Sequence, residues 1–235
     1  MGAKTIAVAH YCEQIFRATA LKIVPRLAKT LSPNELTLKL TSQSMHLVEL
    51  HRGFFSEHLG TIACAEHDGW HILTPCDADV TRNASVADVA EVCPVLRAGL
   101  GLAEKYLQEF IELMDLILNR AATTQLLTDV FDRQQLHDIG PVTVRQPDGS
   151  SRSKTVYQFE RKHTLVRAHM FYVGAKRVVL IVQVLRKDPK NDRRLPGQKQ
   201  RSADVLERYL AAEAAGTLAL LTPQGGRNAF VRITR

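Results

Sequence analysis

The chain has 235 residues with 31 Lys/Arg against 24 Asp/Glu, a net charge of +7, and that length can bury a sizeable core in one large domain or two small ones. Apolar content is ordinary and no low-complexity run occurs, which favours a folded globule over a disordered or fibrous chain. The longest purely apolar run, Val178–Val182, is too short to cross a bilayer, and Met1–His10 lacks the charged-then-apolar order of an export signal; the expectation is a soluble cytoplasmic protein with no membrane partner.

Residues 6–31 carry apolar side chains near helical spacing, and Ser32-Pro33-x-Glu35 reads as a helix start before the alternating stretch Leu36–Leu40. Residues 45–52 and 59–74 are β-like and end at Pro75. Ser85-x-x-Asp88 is a helix cap, Pro94 interrupts that helix, and a long helix follows over 95–120, with a shorter one over 124–137. From Gly140 the period changes to two. Pro141–Gln146 and Thr155–Lys162 flank the turn Pro147-Asp148-Gly149 and predict a hairpin. Thr164–Val173 and Arg177–Lys187 predict a second hairpin turning at Gly174-Ala175, with Val178–Val182 apolar on both faces as a central strand is. A polar loop over 188–199, a helix over Ser202–Ala215 closed by Gly216, and a terminal hairpin complete the chain. The expected fold class is α+β: an antiparallel β-sheet flanked by helices, in a domain of residues 91–235, with an additional helical and β-hairpin part over 1–90.

Charge is concentrated in one segment. Residues 151–210 hold fifteen Lys/Arg against five acids, a surplus of ten, while residues 1–150 have thirteen against eighteen. One sign of charge gathered in one segment is the footprint of a phosphate-rich partner, RNA or another nucleic acid. A two-residue turn at Gly174-Ala175 would set Arg167 opposite Val182, His169 opposite Leu180 and His163 opposite Arg186. Arg167, His169 and Arg186 would then share one sheet face with Leu165, Phe171 and Val184. On that surface Arg167, His169 and Lys187 are the candidates for catalysis, with His169 as acid or base in cleavage by the ribose 2′-hydroxyl and the cations stabilising the crowded phosphate. Arg186, Lys190, Arg193, Arg194, Lys199 and Arg201 are the candidate phosphate contacts, and Tyr172 or Tyr157 the candidate base-stacking ring. The structural alternative is an Arg167 paired to a local carboxylate such as Glu160 and a His169 that is merely half-buried.

The run from Thr164 through Arg186-Lys187, the proline-bearing loop Asp188–Pro196 and the helix from Ser202 resemble the RelE/HigB/ParE toxin superfamily. In HigB-like members an arginine-bearing strand turns into an apolar strand that ends in a basic pair; here Arg167 matches the strand arginine and Arg186-Lys187 the pair. The resemblance spans about residues 95–215. It implies a ribosome-dependent endoribonuclease acting on translated mRNA and held inactive by an acidic antitoxin, or, as in ParE-like members, a gyrase poison. The acidic N-terminal part would then be able to mask the basic sheet. Two rival readings stand beside it: a non-enzymatic nucleic-acid-binding subunit of a mobile-element or defence complex, and an interaction module docking an acidic protein.

Other patterns point away from cofactors. His46, His51, His58, Cys64, His67, His71 and Cys76 crowd together, and Cys64-x-x-His67 and His67-x-x-x-His71 are spacings a zinc ion can use, but no paired motif accompanies them and no metal is expected. No phosphate-binding glycine loop, GxSxG or HExxH is present, so no cofactor is expected. Cys12, Cys64, Cys76 and Cys93 form no CxxC and are expected reduced and buried; Cys93, just before Pro94, lies where a helix begins.

Overall fold

The computed structural model describes residues 45–59, 69–78, 85–121, 123, 125–173, 177–187, 195–223 and 230–234. The helix expected over 6–31, the stretch Ser32–Leu40, Cys12, Cys64, His67, Lys190, Arg193 and Arg194 lie outside these residues.

In chain order the elements are β1 (Met45–Glu49), a 3-10 turn (Arg52–Phe55) running into α1 (Ser56–Leu59), β2 (His71–Cys76), α2 (Val86–Val92), α3 (Pro94–Leu100), α4 (Glu104–Ala121), α5 (Leu127–Val130), β3 (Leu136–Arg145), β4 (Ser151–Glu160), β5 (Val166–Val173), β6 (Val178–Arg186), α6 (Leu195–Ala214), β7 (Leu218–Pro223) and β8 (Phe230–Thr234). The strands form one eight-stranded sheet in the order β3-β4-β5-β6-β2-β1-β7-β8. Residues from Ser44 onward form a single compact unit.

The fold is of α+β type, but the expected antiparallel sheet is mixed. β3 through β6 and the β1–β2 and β7–β8 pairs are antiparallel, whereas β2 runs parallel to β6 and β1 parallel to β7. The physical reason is topological. Local turns specify hairpins, but a parallel pair needs a long crossover, and here the strands from the acidic half of the chain fill the middle of the sheet between β6 and β7.

Both faces of the central strands β5, β6 and β2 are buried. Against one face α4 sets Phe110, Ile111, Leu113, Met114, Ile117 and Leu118, a stripe at i, i+3, i+4, i+7 spacing, over Ile72, Val166, Ala168, Met170, Val179 and Ile181. Against the other, α6 sets Ala203, Leu206, Tyr209 and Ala212 over Met45, Leu47, Leu73, Phe171, Val178, Leu180, Val182 and Leu220. Each large apolar side chain so enclosed contributes about 1.5–3 kcal/mol relative to exposure. β6, between β5 and β2, is apolar on both sides as its sequence predicts.

α2 begins and α6 ends where the sequence marks them, but α6 begins at Leu195 rather than Ser202 and takes in part of the expected polar loop over 188–199, its Pro196 lying in the first turn, where a missing N–H costs little. Ser85 and Asp88 form a reciprocal capping box at α2, and Gly216, with φ 67°, follows the end of α6. The long helix expected over 95–120 is instead two, α3 and α4, broken at Gly101–Ala103, where the Gly101 N–H turns back to the Arg97 carbonyl. The helix expected over 124–137 shortens to the single turn of α5, because Leu136 is already the first residue of β3. Breaking the long helix lets α3 and α4 cross with Gly99 against the Phe110 ring. A Cβ at Gly99 would overlap that fully buried ring. Gly99→Ala therefore lowers stability by about 1–3 kcal/mol despite alanine's better helix propensity, read as a lower urea midpoint. Phe110→Leu in the same chain recovers part of that loss; an unchanged midpoint in Gly99→Ala would refute the contact.

Candidate functional site

The pairing of β5 with β6 decides which basic residues can act together. Val166 lies opposite Arg186, Arg167 opposite Leu185, Ala168 opposite Val184 and His169 opposite Gln183; the register then shifts, and Met170 lies opposite Ile181. Val182 is the extra residue, a bulge in β6. The connection is also longer than a two-residue turn, since Val173 pairs with Val178 and Arg177 adopts φ 50°. These two features overturn the expected pairing and move Arg186 from His163 to Val166. Side chains alternate, so this register sends Arg186 to the α4 side, where its guanidinium carbon stands 4.5 Å over the Tyr106 ring. Arg167 and His169 face α6. The surface expected to unite Arg167, His169 and Arg186 is thus divided between two faces.

His169 is not on a surface at all: it is 0% exposed beneath α6. It belongs to a row of polar side chains in register across four strands, His137 on β3, Gln158 on β4, His169 on β5 and Gln183 on β6. The Gln158 amide nitrogen donates to Glu160 Oε2 and to His137 Nε2, both at 3.2 Å. That orientation turns Gln158 Oε1 toward His169, so His169 donates through Nε2 at 3.2 Å and keeps Nδ1 as an acceptor. Ser202 Oγ of α6 lies 3.4 Å from Nδ1, and its hydroxyl donates to the Gln198 carbonyl at 3.1 Å. Burial, and then the charges of Arg167 and Arg201 and the neighbouring His137, lower the His169 pKa from 6.5 to about 4. A neutral, enclosed imidazole is a poor acid or base toward a bulky substrate, which corrects the catalytic expectation for His169.

Arg167 and Lys187 are brought together. Where β4 ends and β5 begins, the chain turns tightly: Thr164 donates from N and Oγ1 to the Arg161 carbonyl at 3.2 and 3.0 Å, and His163 takes φ 65°. Glu109 of α4 fixes the start of β5 by accepting from the N–H groups of Leu165 at 2.8 Å and Val166 at 3.2 Å. The Lys187 N–H donates to the Leu165 carbonyl at 2.7 Å and holds the end of β6 beside the turn. These backbones enclose a cleft of about 340 Å³ whose lining includes Arg161, Lys162, His163, Arg167, Lys187 and Glu160. Arg167 pairs with Glu160 at 2.5 Å, the carboxylate named from the sequence, and Arg161 pairs with Glu112 of α4. Lys162 and His163 are exposed and Lys187 half-buried, so these three remain to meet an incoming anion.

The other candidates scatter. Tyr172 faces α4, edge-on to Trp70 and Tyr157 at 5.4 and 5.0 Å, and burial raises its pKa; it offers no open ring face beside Arg167. Lys199 reaches over the kink of β3 at Gly140, and Arg201 is exposed on α6. Among the zinc-spaced residues, His71 bonds Glu49 at 2.6 Å, His51 Nδ1 accepts from the Gly53 N–H at 3.1 Å, and Cys76 is buried near Cys93. Among the described residues no group of three or more His, Cys, Asp or Glu could hold a metal ion, and no helix is long and apolar enough to cross a membrane.

No family model, no curated protein and no solved structure matches this chain. The cleft therefore stands on its own geometry and charge.

The buried histidine has a consequence in solution. Unfolded, His169 titrates near 6.5; folded, near 4. Between those values the unfolded chain binds the extra proton, so stability is greatest above pH 6.5 and falls as pH drops toward 4. His51, lowered to about 4 chiefly by burial, adds to the same slope. Each group contributes up to about 1.4 kcal/mol per pH unit in that window. In urea unfolding between pH 7 and 4.5, His169→Gln gives a shallower slope than the parent; parallel slopes would show that His169 protonates freely in the fold.

Proposed function

We propose that this protein binds nucleic acid, RNA foremost, through its phosphate backbone at the cleft between the β4–β5 turn and the end of β6. The observation that carries the reading is the convergence of Arg167 and Lys187 with Arg161, Lys162 and His163 around one opening of about 340 Å³. Two arginines anchored by Glu160 and Glu112 are held in fixed orientation, while Lys162 and Lys187 supply uncommitted positive charge and His163 an exposed ring. Phosphate recognition wants this combination of oriented guanidinium groups and mobile ammonium groups. In sequence, the residues following Lys187 include Lys190, Arg193 and Arg194.

Binding of a labelled single-stranded RNA, followed by anisotropy through a salt series, tests this. Affinity falls with a log–log slope of about −0.7 per phosphate contact. Lys187→Ala and Lys162→Ala each weaken binding several-fold and flatten the slope by about 0.7. Arg186→Ala, on the opposite face over Tyr106, leaves both unchanged. Equal losses from Arg186→Ala and Lys187→Ala, or binding insensitive to salt, would refute the cleft.

A second reading, the endoribonuclease, draws on a different pair than His169. Glu160 and His163 line the same cleft as the cations, and a carboxylate with an imidazole is a sufficient acid–base set for attack by a 2′-hydroxyl. On that reading His163→Gln weakens RNA binding no more than Lys162→Ala does but abolishes cleavage, and a 2′-deoxy substrate is bound but not cut. Intact RNA after long incubation with the parent protein leaves binding alone.

A further inference from the structure

Cys76 and Cys93 take no part in the cleft, and the fold brings them together. Cys76 is the last residue of β2; Cys93 is the single residue between α2 and α3, with Pro94 opening the second helix. The Asp77 N–H donates to the Val92 carbonyl at 2.8 Å, so the two cysteines flank a backbone bond that ties β2 to the helix junction. The Cys93 thiol donates to Thr74 Oγ1 at 3.9 Å, and Thr74 stands two residues before Cys76 on β2. Both cysteines are reduced and almost wholly enclosed, at 3% and 0% exposure.

We propose that Cys76 and Cys93 are a redox pair, which a small peroxide joins into a disulfide that clamps the end of β2 to the α2–α3 junction. Two buried sulfurs on backbones stitched beside them by the Asp77–Val92 bond need little rearrangement to reach disulfide geometry. The pair is also chemically asymmetric. The interaction of the two thiols lowers the Cys93 pKa and raises that of Cys76. Cys93 is thus the attacking sulfur and Cys76 the resolving one. Peroxide is small enough to reach them from the end of β2, where the next residue, Asp77, is exposed.

In the first step the Cys93 thiolate attacks one peroxide oxygen. The O–O bond breaks, Cys93 becomes a sulfenic acid, and the departing hydroxide takes up the proton released when Cys93 ionised. In the second, the Cys76 sulfur attacks the Cys93 sulfur, and the hydroxyl leaves as water with the Cys76 proton. Two thiols lose two electrons in total, and one hydrogen peroxide becomes two waters.

The test treats the folded full-length chain with hydrogen peroxide, blocks remaining thiols and maps non-reduced peptides by mass spectrometry. The expected map joins the Cys76 peptide to the Cys93 peptide with loss of two hydrogens, and Tm rises by several degrees until dithiothreitol reverses it. In Cys76→Ser the reaction stops at Cys93 sulfenic acid, which dimedone labels. A parent map that pairs Cys12 or Cys64 instead, or that leaves Cys76 and Cys93 both alkylatable after peroxide, overturns the proposal. So does parent protein that accumulates dimedone-labelled Cys93 as fast as Cys76→Ser.

Discussion

Both faces of the central strands are covered, by α4 on one side and α6 on the other, and this governs where the molecule can meet anything else. A side chain in the middle of a covered strand has no route to solvent; one at a strand end does. His169 and Arg167 are two residues apart on the same face of β5, yet His169 is enclosed while Arg167, nearer the strand's start, opens into the cleft. Lys187, just past the end of β6, joins it for the same reason. The N-terminal anchor of β5 on Glu109 is therefore as important to the cleft as the cations are, since it sets where enclosure stops.

Beneath α6 the polar row His137–Gln158–His169 ties three strands together with directional bonds, beside a layer of aliphatic and aromatic side chains. Such a network adds little net energy when satisfied and costs much when broken. Its value is selection of register: a one-residue slip of β5 would bury Arg167 among apolar groups and leave Gln158 without its imidazole partner. The row also reaches the cleft, because Gln158 donates to the same Glu160 that holds Arg167.

Local signals in the sequence read well. Ser85 and Asp88 cap a helix, Gly216 ends one, Asp148-Gly149 turn a hairpin, and Val178–Val182 form a strand buried on both sides, because each depends on neighbours within a few residues. Arg167 and Lys187 were also within reach, as was the Arg167–Glu160 pair. What was not legible depends on non-local pairing. Gln158 and Ser202 look like ordinary surface residues until β4, β5 and α6 are set together. The bulge at Val182 has no sequence mark, and with the longer connection at 174–177 it carried Arg186 to the wrong face for the expected site. The mixed sheet was hidden for the same reason, since nothing near Met45 announces a partner beyond Gly216.

That last pairing shapes how the protein is made. β1 is flanked by β2 and β7, and β7 leaves the ribosome only after every strand from β2 to β6 and the helix α6. Until then, one margin of β1 presents unpaired amides and carbonyls beside apolar Met45 and Leu47. Folding must close the long loop between β1 and β7 before this margin is sealed, which makes the pairing a slow event.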